Sequence, residues 1–108
     1  MKIAIDIADD DIRAVLQTFQ NSSAAWAADL DWTNDGELSA WLWEHDDTRN
    51  RERWKNHSLD FKRGLQLTLL NPPNSLAQFE IHNGQIECDA PGADYFIQFA
   101  VFGEQRYG

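Results

Sequence analysis

The chain begins with an alternation. Ile3, Ile5 and Ile7 are apolar, with Lys2, Ala4 and Asp6 between them, and this period of two with β-branched residues predicts a strand over Lys2–Ile7. Asp9 or Asp10 then offers a helix N-cap, and acid there suits the positive end of a helix dipole. Ile12, Val15, Leu16 and Phe19 follow at i, i+3, i+4 and i+7, one face of a helix. Trp26, Ala28, Leu30 and Trp32 share one parity, with Asp29 and Asp31 on the other. Thr33-Asn34-Asp35-Gly36 carries turn chemistry, and Leu38 to Glu44 can return as a strand, so Trp26 to Glu44 reads as a β-hairpin. The alanines leave a helix over 24–30 as the alternative.

The pattern changes after His45. Arg49, Arg51, Arg53 and Lys55 around Trp54 read as a surface loop with at most a short strand near Trp54. Ser58 is expected to cap a second helix with Asp60 in its first turn. Phe61, Leu65, Thr68 and Leu69 form its apolar stripe, and Asn71-Pro72-Pro73 stops it. A helical turn over Ser75–Phe79 and a turn at Asn83-Gly84 come next. The last helix is the clearest: Asp89 as N-cap, Pro91 in the first turn, and Ala93, Phe96, Ile97, Ala100 and Val101 along one stripe. Tyr95, Phe99 and Phe102 add a second stripe, and Gly103 is placed as the C′ residue. A helix apolar on nearly all sides is central to a core or partly covered by another chain, which leaves a homodimer open.

Together these elements predict one α+β domain over residues 1–108. A small antiparallel sheet, made of the N-terminal strand plus the Trp-rich hairpin, packs against about three helices, with the C-terminal helix central. A chain of 108 residues can bury one core without a disulfide or a metal. Cys88 is the only cysteine, so no internal disulfide can form. The first residues show no secretion signal, and no apolar run approaches the roughly 20 residues of a membrane helix, so a cytoplasmic setting is expected.

Charge narrows the partners. The formal net charge is −9. Residues 1–48 hold eleven Asp and Glu against two Lys and Arg, whereas residues 49–63 hold six basic and two acidic side chains. Such a balance argues against direct nucleic-acid binding, which needs a basic footprint. Acid this dense either solvates a face or steers the protein toward a positive cleft on another protein. Asp9, Asp10, Asp11, Asp29, Asp31 and Asp35 are the candidate acidic surface. The five tryptophans give a second candidate. If Trp26, Trp32 and Leu42 face the core, Trp41 and Trp43 fall on the opposite face of the hairpin, where Trp is a favoured binding residue.

Catalytic chemistry finds little support in the spacing. His45, Asp46 and Asp47 are contiguous, but residues adjacent on a strand point to opposite faces, and His57 and His82 lie elsewhere without a zinc or EF-hand spacing. No metal and no cofactor are expected. Cys88 stands between Glu87 and Asp89, whose charge disfavours a thiolate. No nucleophile elbow, P-loop or dinucleotide fingerprint occurs.

The C-terminal twenty residues carry a family likeness. Asp89-Ala90, Ala93-Asp94, Gln98, Ala100, Phe102-Gly103-Glu104 and Tyr107-Gly108 fit the pattern D-A-x-x-A-D-x-x-x-Q-x-A-x-F-G-E-x-x-Y-G. This resembles the tail of small, functionally uncharacterised proteins encoded by bacteriophages and integrated mobile elements. Ser58-Leu59-Asp60-Phe61 with Arg63-Gly64-Leu65 is similar to that family's leucine-rich helix. Ala25-Trp26 falls at its aromatic pair, though Ser22-Ser23-Ala24-Ala25 replaces the Gly-rich turn before it. The resemblance implies a phage or prophage setting, in which small proteins without enzyme motifs often antagonise host machinery such as restriction or CRISPR complexes. The expected function is therefore a non-enzymatic protein that binds a host or phage protein, with an acidic face that imitates DNA. The alternative is a structural or accessory phage protein acting through an aromatic and apolar interface.

Overall fold

A computed structural model describes residues 7–22, 24–45, 51–74 and 76–107 of the chain. Helix α1 spans Asp9–Ser22, and strands β1 (Ala27–Thr33) and β2 (Ser39–Glu44) follow as the expected hairpin. A turn of 3₁₀ helix at Arg51–Arg53 leads into β3 (Lys55–Ser58) and then helix α2 (Phe61–Leu70). Strands β4 (Phe79–His82) and β5 (Gln85–Cys88) precede helix α3 (Ala90–Phe102). The fold is α+β, with three helices and two small antiparallel sheets, β1-β2-β3 and β4-β5, among the described residues. The strand expected over Lys2–Ile7 lies outside the described residues except for Ile7, which packs against the core. The third described strand of the larger sheet is β3.

Helix α1 buries the Ile12, Val15, Leu16 and Phe19 stripe. Its start differs from expectation: the Ile12 N–H donates to the Ala8 carbonyl, which puts Ala8, not Asp9 or Asp10, at the N-cap and the three aspartates in the first turn. Acid in that turn faces the exposed helical N–H groups and favours the dipole.

Strand β1 carries a bulge. Ala28 pairs with Trp43 and Asp31 with Trp41, so Asp29 and Leu30 together oppose Leu42. Asp29 takes a φ of 56°, the left-handed conformation that glycine commonly supplies in one class of bulge. The bulge resets the parity. Leu30 and Trp32 share the core face with Ala40 and Leu42, but Ala28 falls on the other face, not beside Leu30 as strict alternation predicts. In β3, His57 pairs with Leu42 and Ser58 with Trp41. The ladder runs on into Leu59, whose N–H donates to the Ala40 carbonyl at 3.0 Å. That pairing holds Ser58 in the sheet, and Asp60 caps α2 instead, accepting from the Arg63 N–H at 3.0 Å.

Helices α2 and α3 approach closely at Gly64, where a Cβ would stand 2.9 Å from the Phe96 ring and 3.0 Å from the Ala100 methyl. Arg63 donates to the Phe99, Ala100 and Val101 carbonyls at 2.9–3.2 Å, placing a cation on the carbonyl end of α3. Asp89 caps α3 by accepting from the Gly92 N–H, and it also accepts from the Gln78 N–H. Gly103 ends the helix at φ 72°. As expected, α3 is the helix with most of its length buried: it packs on α1, α2 and the β4-β5 ribbon, and Phe96, Ile97 and Ala100 are fully buried.

Candidate interaction surface

The pairing of β2 decides where its aromatics go. Ala40 and Leu42 turn inward and are buried, so Trp41 and Trp43 turn outward. Both are half-buried, and neither belongs to the core or to the hydrophobic residues packed against it. Across the strands, Trp41 faces Asp31 and Ser58, and Trp43 faces Ala28 and Asn56. The result is two large apolar rings on a sheet face whose other positions are small, polar or acidic. Trp54 stands apart and stacks on His45 with ring centroids 4.9 Å apart.

The six aspartates do not form one row. Asp9, Asp10 and Asp11 occupy the first turn of α1, where Asp10 pairs with Arg13. Asp9 and Glu37 line one groove of about 280 Å³, floored by Ile7, Ile12, Leu38, Phe61 and Leu65. Asp35 is exposed in the β1-β2 turn. Asp29 and Asp31 are exposed toward the other end of α1, where the Gln20 amide donates to the Leu30 carbonyl at 3.3 Å. Asp9 and Gln20 are roughly 16 Å apart along that helix. The acid thus stands in two groups, Asp9 at the groove and Asp31 opposite Trp41 on the outer sheet face. Glu37 joins the first group, and only the placement of the β1-β2 turn against α1 reveals it.

The C-terminal residues are engaged within the fold. Asp94 accepts from the Trp26 indole N–H at 3.0 Å and from the Gln98 amide at 2.8 Å. Gln98 is buried, and all four of its hydrogen bonds are internal: its amide also donates to the Tyr107 carbonyl, and its oxygen accepts from the Arg106 and Tyr107 N–H groups. The Tyr107 ring stacks on Trp26, 4° from parallel, and its hydroxyl donates to Glu44 at 2.5 Å. Glu44 also pairs with His57 at 2.8 Å. Burial pushes the Glu44 carboxyl up, but the hydrogen bonds from Tyr107 and His57 and the charges of His57 and Arg106 outweigh it and hold the group below its ordinary value. Asp94, Gln98 and Tyr107 therefore bind the C-terminal residues to Trp26, just before β1, and to Glu44 on β2.

Cys88 turns inward opposite Phe79, and its thiol is pushed up to about 11 by burial, with the charge of Asp89 adding to it. Such a thiol is a poor nucleophile. Among the described residues, no helix is long and apolar enough to cross a membrane. No protein-family model matches the chain, and neither a curated protein nor a solved structure is significantly similar to it.

Proposed function

We propose that this chain is a non-enzymatic protein that docks on another protein through the outer face of its β1-β2-β3 sheet. The observation that carries this reading is the pair Trp41 and Trp43, held side by side outside the core with Asp31 opposite Trp41. Rigid tryptophans on a regular sheet lose little freedom on binding and supply large contact area. The surrounding acid, with a net charge of −9, steers the protein to a basic partner surface. Basic surfaces of that kind belong to nucleic-acid-handling proteins, and the phage-like tail fits a role in occupying and blocking one in the host cytoplasm. An accessory or structural role through an apolar contact is the second reading, and Leu76, 82% exposed beside an open crevice, is the residue that favours it.

Affinity capture from host lysate separates the two. The wild-type chain is compared with a Trp41→Ser/Trp43→Ser variant, an Asp29→Asn/Asp31→Asn variant and a Leu76→Ser variant, each checked for fold by circular dichroism. The expected result is a basic partner retained at low salt, lost at high salt, and lost in both sheet-face variants. Capture that ignores Trp41 and Trp43 but fails in Leu76→Ser would discard the first reading in favour of the second.

A further inference from the structure

The β4-β5 ribbon has two unlike faces. Phe79 and Cys88 pair inward, and so do Ile81 and Ile86, while Glu80 pairs with Glu87 and His82 with Gln85 on the solvent side. Asn83 at φ 53° and Gly84 at φ 77° make the tight two-residue turn that fixes this register. Two carboxylates directly opposite one another repel, and a two-stranded ribbon has little cooperative strength to spare. The side chain beside them is an imidazole: His82 Nε2 lies 3.0 Å from Glu80 and 4.0 Å from Glu87. One ligating atom from each of the three lies within 4.8 Å of the others.

We infer that Glu80, His82 and Glu87 form a binding site for a single divalent transition-metal ion on the outer face of the β4-β5 ribbon. One nitrogen and two carboxylate oxygens suit zinc and its first-row neighbours, whereas calcium and magnesium prefer more oxygens and no imidazole. The three side chains come from both strands of a register-locked ribbon, so an ion would replace the Glu80–Glu87 repulsion with a bridge across the ladder. All three are exposed, which leaves coordination positions for water or for a ligand from another molecule. Sequence spacing conceals this set, because Glu87 follows His82 by five residues, and only the hairpin turn at Asn83-Gly84 brings them together. The Asn83-Gly84 dipeptide was the available signal.

The test uses the full chain, stripped of metal by a chelator and titrated with Co²⁺ and Zn²⁺. Visible absorption of Co²⁺ reports ligand geometry, and calorimetry with Zn²⁺ reports stoichiometry and affinity. The expected result is one saturable site, with His82→Asn and Glu87→Gln each weakening it by at least about tenfold, the scale on which even outer-shell changes act. His57→Asn leaves it unchanged. The side chains are exposed, so both ribbon variants should keep the wild-type circular dichroism spectrum. Absence of saturable binding, or binding that follows His57 and ignores His82 and Glu87, would overturn the assignment.

Discussion

At the scale of single residues, Gly92 tolerates a side chain less than Gly36, Gly64 or Gly103 does. A Cβ built there would lie 1.7 Å from the Gln78 carbonyl oxygen and 2.5 Å from its carbon. Those atoms are backbone, held because Asp89 accepts from the Gln78 N–H while its own N–H donates to the Gln78 carbonyl. No side chain can swing aside, so Gly92→Ala should destabilise by about 3 kcal/mol, the upper end for overpacking, measured as a loss of unfolding free energy in urea. Gly36 has open space around it, so its requirement is for backbone conformation alone, at φ 86°. The contrast shows two distinct reasons for glycine in one short chain. Sequence inspection finds Gly36 easily because it sits among turn residues. Gly92 sits just inside a helix, where glycine is costly, and the neighbour that requires it lies fourteen residues upstream.

At the scale of elements, the helix caps are where charge meets backbone. Two backbone N–H groups, from Gln78 and from Gly92, hold the Asp89 carboxyl below its usual value of 3.8. A carboxyl depressed in the folded state contributes stability that is present above its unfolded value and is lost as pH falls through the folded one. The wild-type melting temperature should therefore drop on acidification below about pH 4, and Asp89→Asn, which keeps a capping oxygen without the charge, should drop less over the same range. Equal losses in the two proteins would show that Asp89 is not the group responsible.

Elements also mark how far the sequence could be read. The α1 stripe, the β1-β2 hairpin and α3 with its Asp89 and Gly103 ends all follow from local periodicity and cap chemistry, which depend on near neighbours alone. Strands β4 and β5 were legible only as the Asn83-Gly84 turn, and Phe79, expected to end a helical turn over Ser75–Phe79, opens β4 instead, because four residues on each side give too little alternation to distinguish. The bulge was hidden because Asp29 occupies a place usually taken by glycine. The outward facing of Trp41 and Trp43 was readable from parity. The grouping of Asp9 with Glu37 was not, since it depends on how α1 lies against the hairpin.

At the scale of the whole molecule, the tail ties distant parts together. Gln98 joins α3 to residues 106 and 107, Tyr107 joins them to Trp26 and Glu44, and Glu44 reaches His57 on β3. Replacing Gln98 with alanine leaves the Arg106 and Tyr107 N–H groups without their acceptor and removes a buried amide. The expected cost is about 2 kcal/mol or more, and hydrogen exchange at those two amides should accelerate well beyond that of the α3 core. Trp26 emission should shift to the red as Tyr107 leaves it. A variant with unchanged exchange at Arg106 and Tyr107 would mean that stacking on Trp26, not the Gln98 amide, holds the tail. Asp94 and Gln98 are polar positions within an otherwise apolar helix, but their partners lie up to 68 residues away, which no local pattern discloses.

The bulge at Asp29 has a bearing on self-assembly. Among the described residues, β1 and β3 flank β2 in the larger sheet, and a regular row of backbone donors and acceptors along such a strand is a template for any extended chain that drifts past. On β1 the extra residue bends the strand and breaks the regular spacing of those groups, and an exposed carboxylate marks the spot. That side of the sheet is thereby a poor template for fibrillar growth. Deleting Asp29 is expected to straighten the strand and restore an even row of donors and acceptors, read as faster aggregation by light scattering than in the wild-type chain.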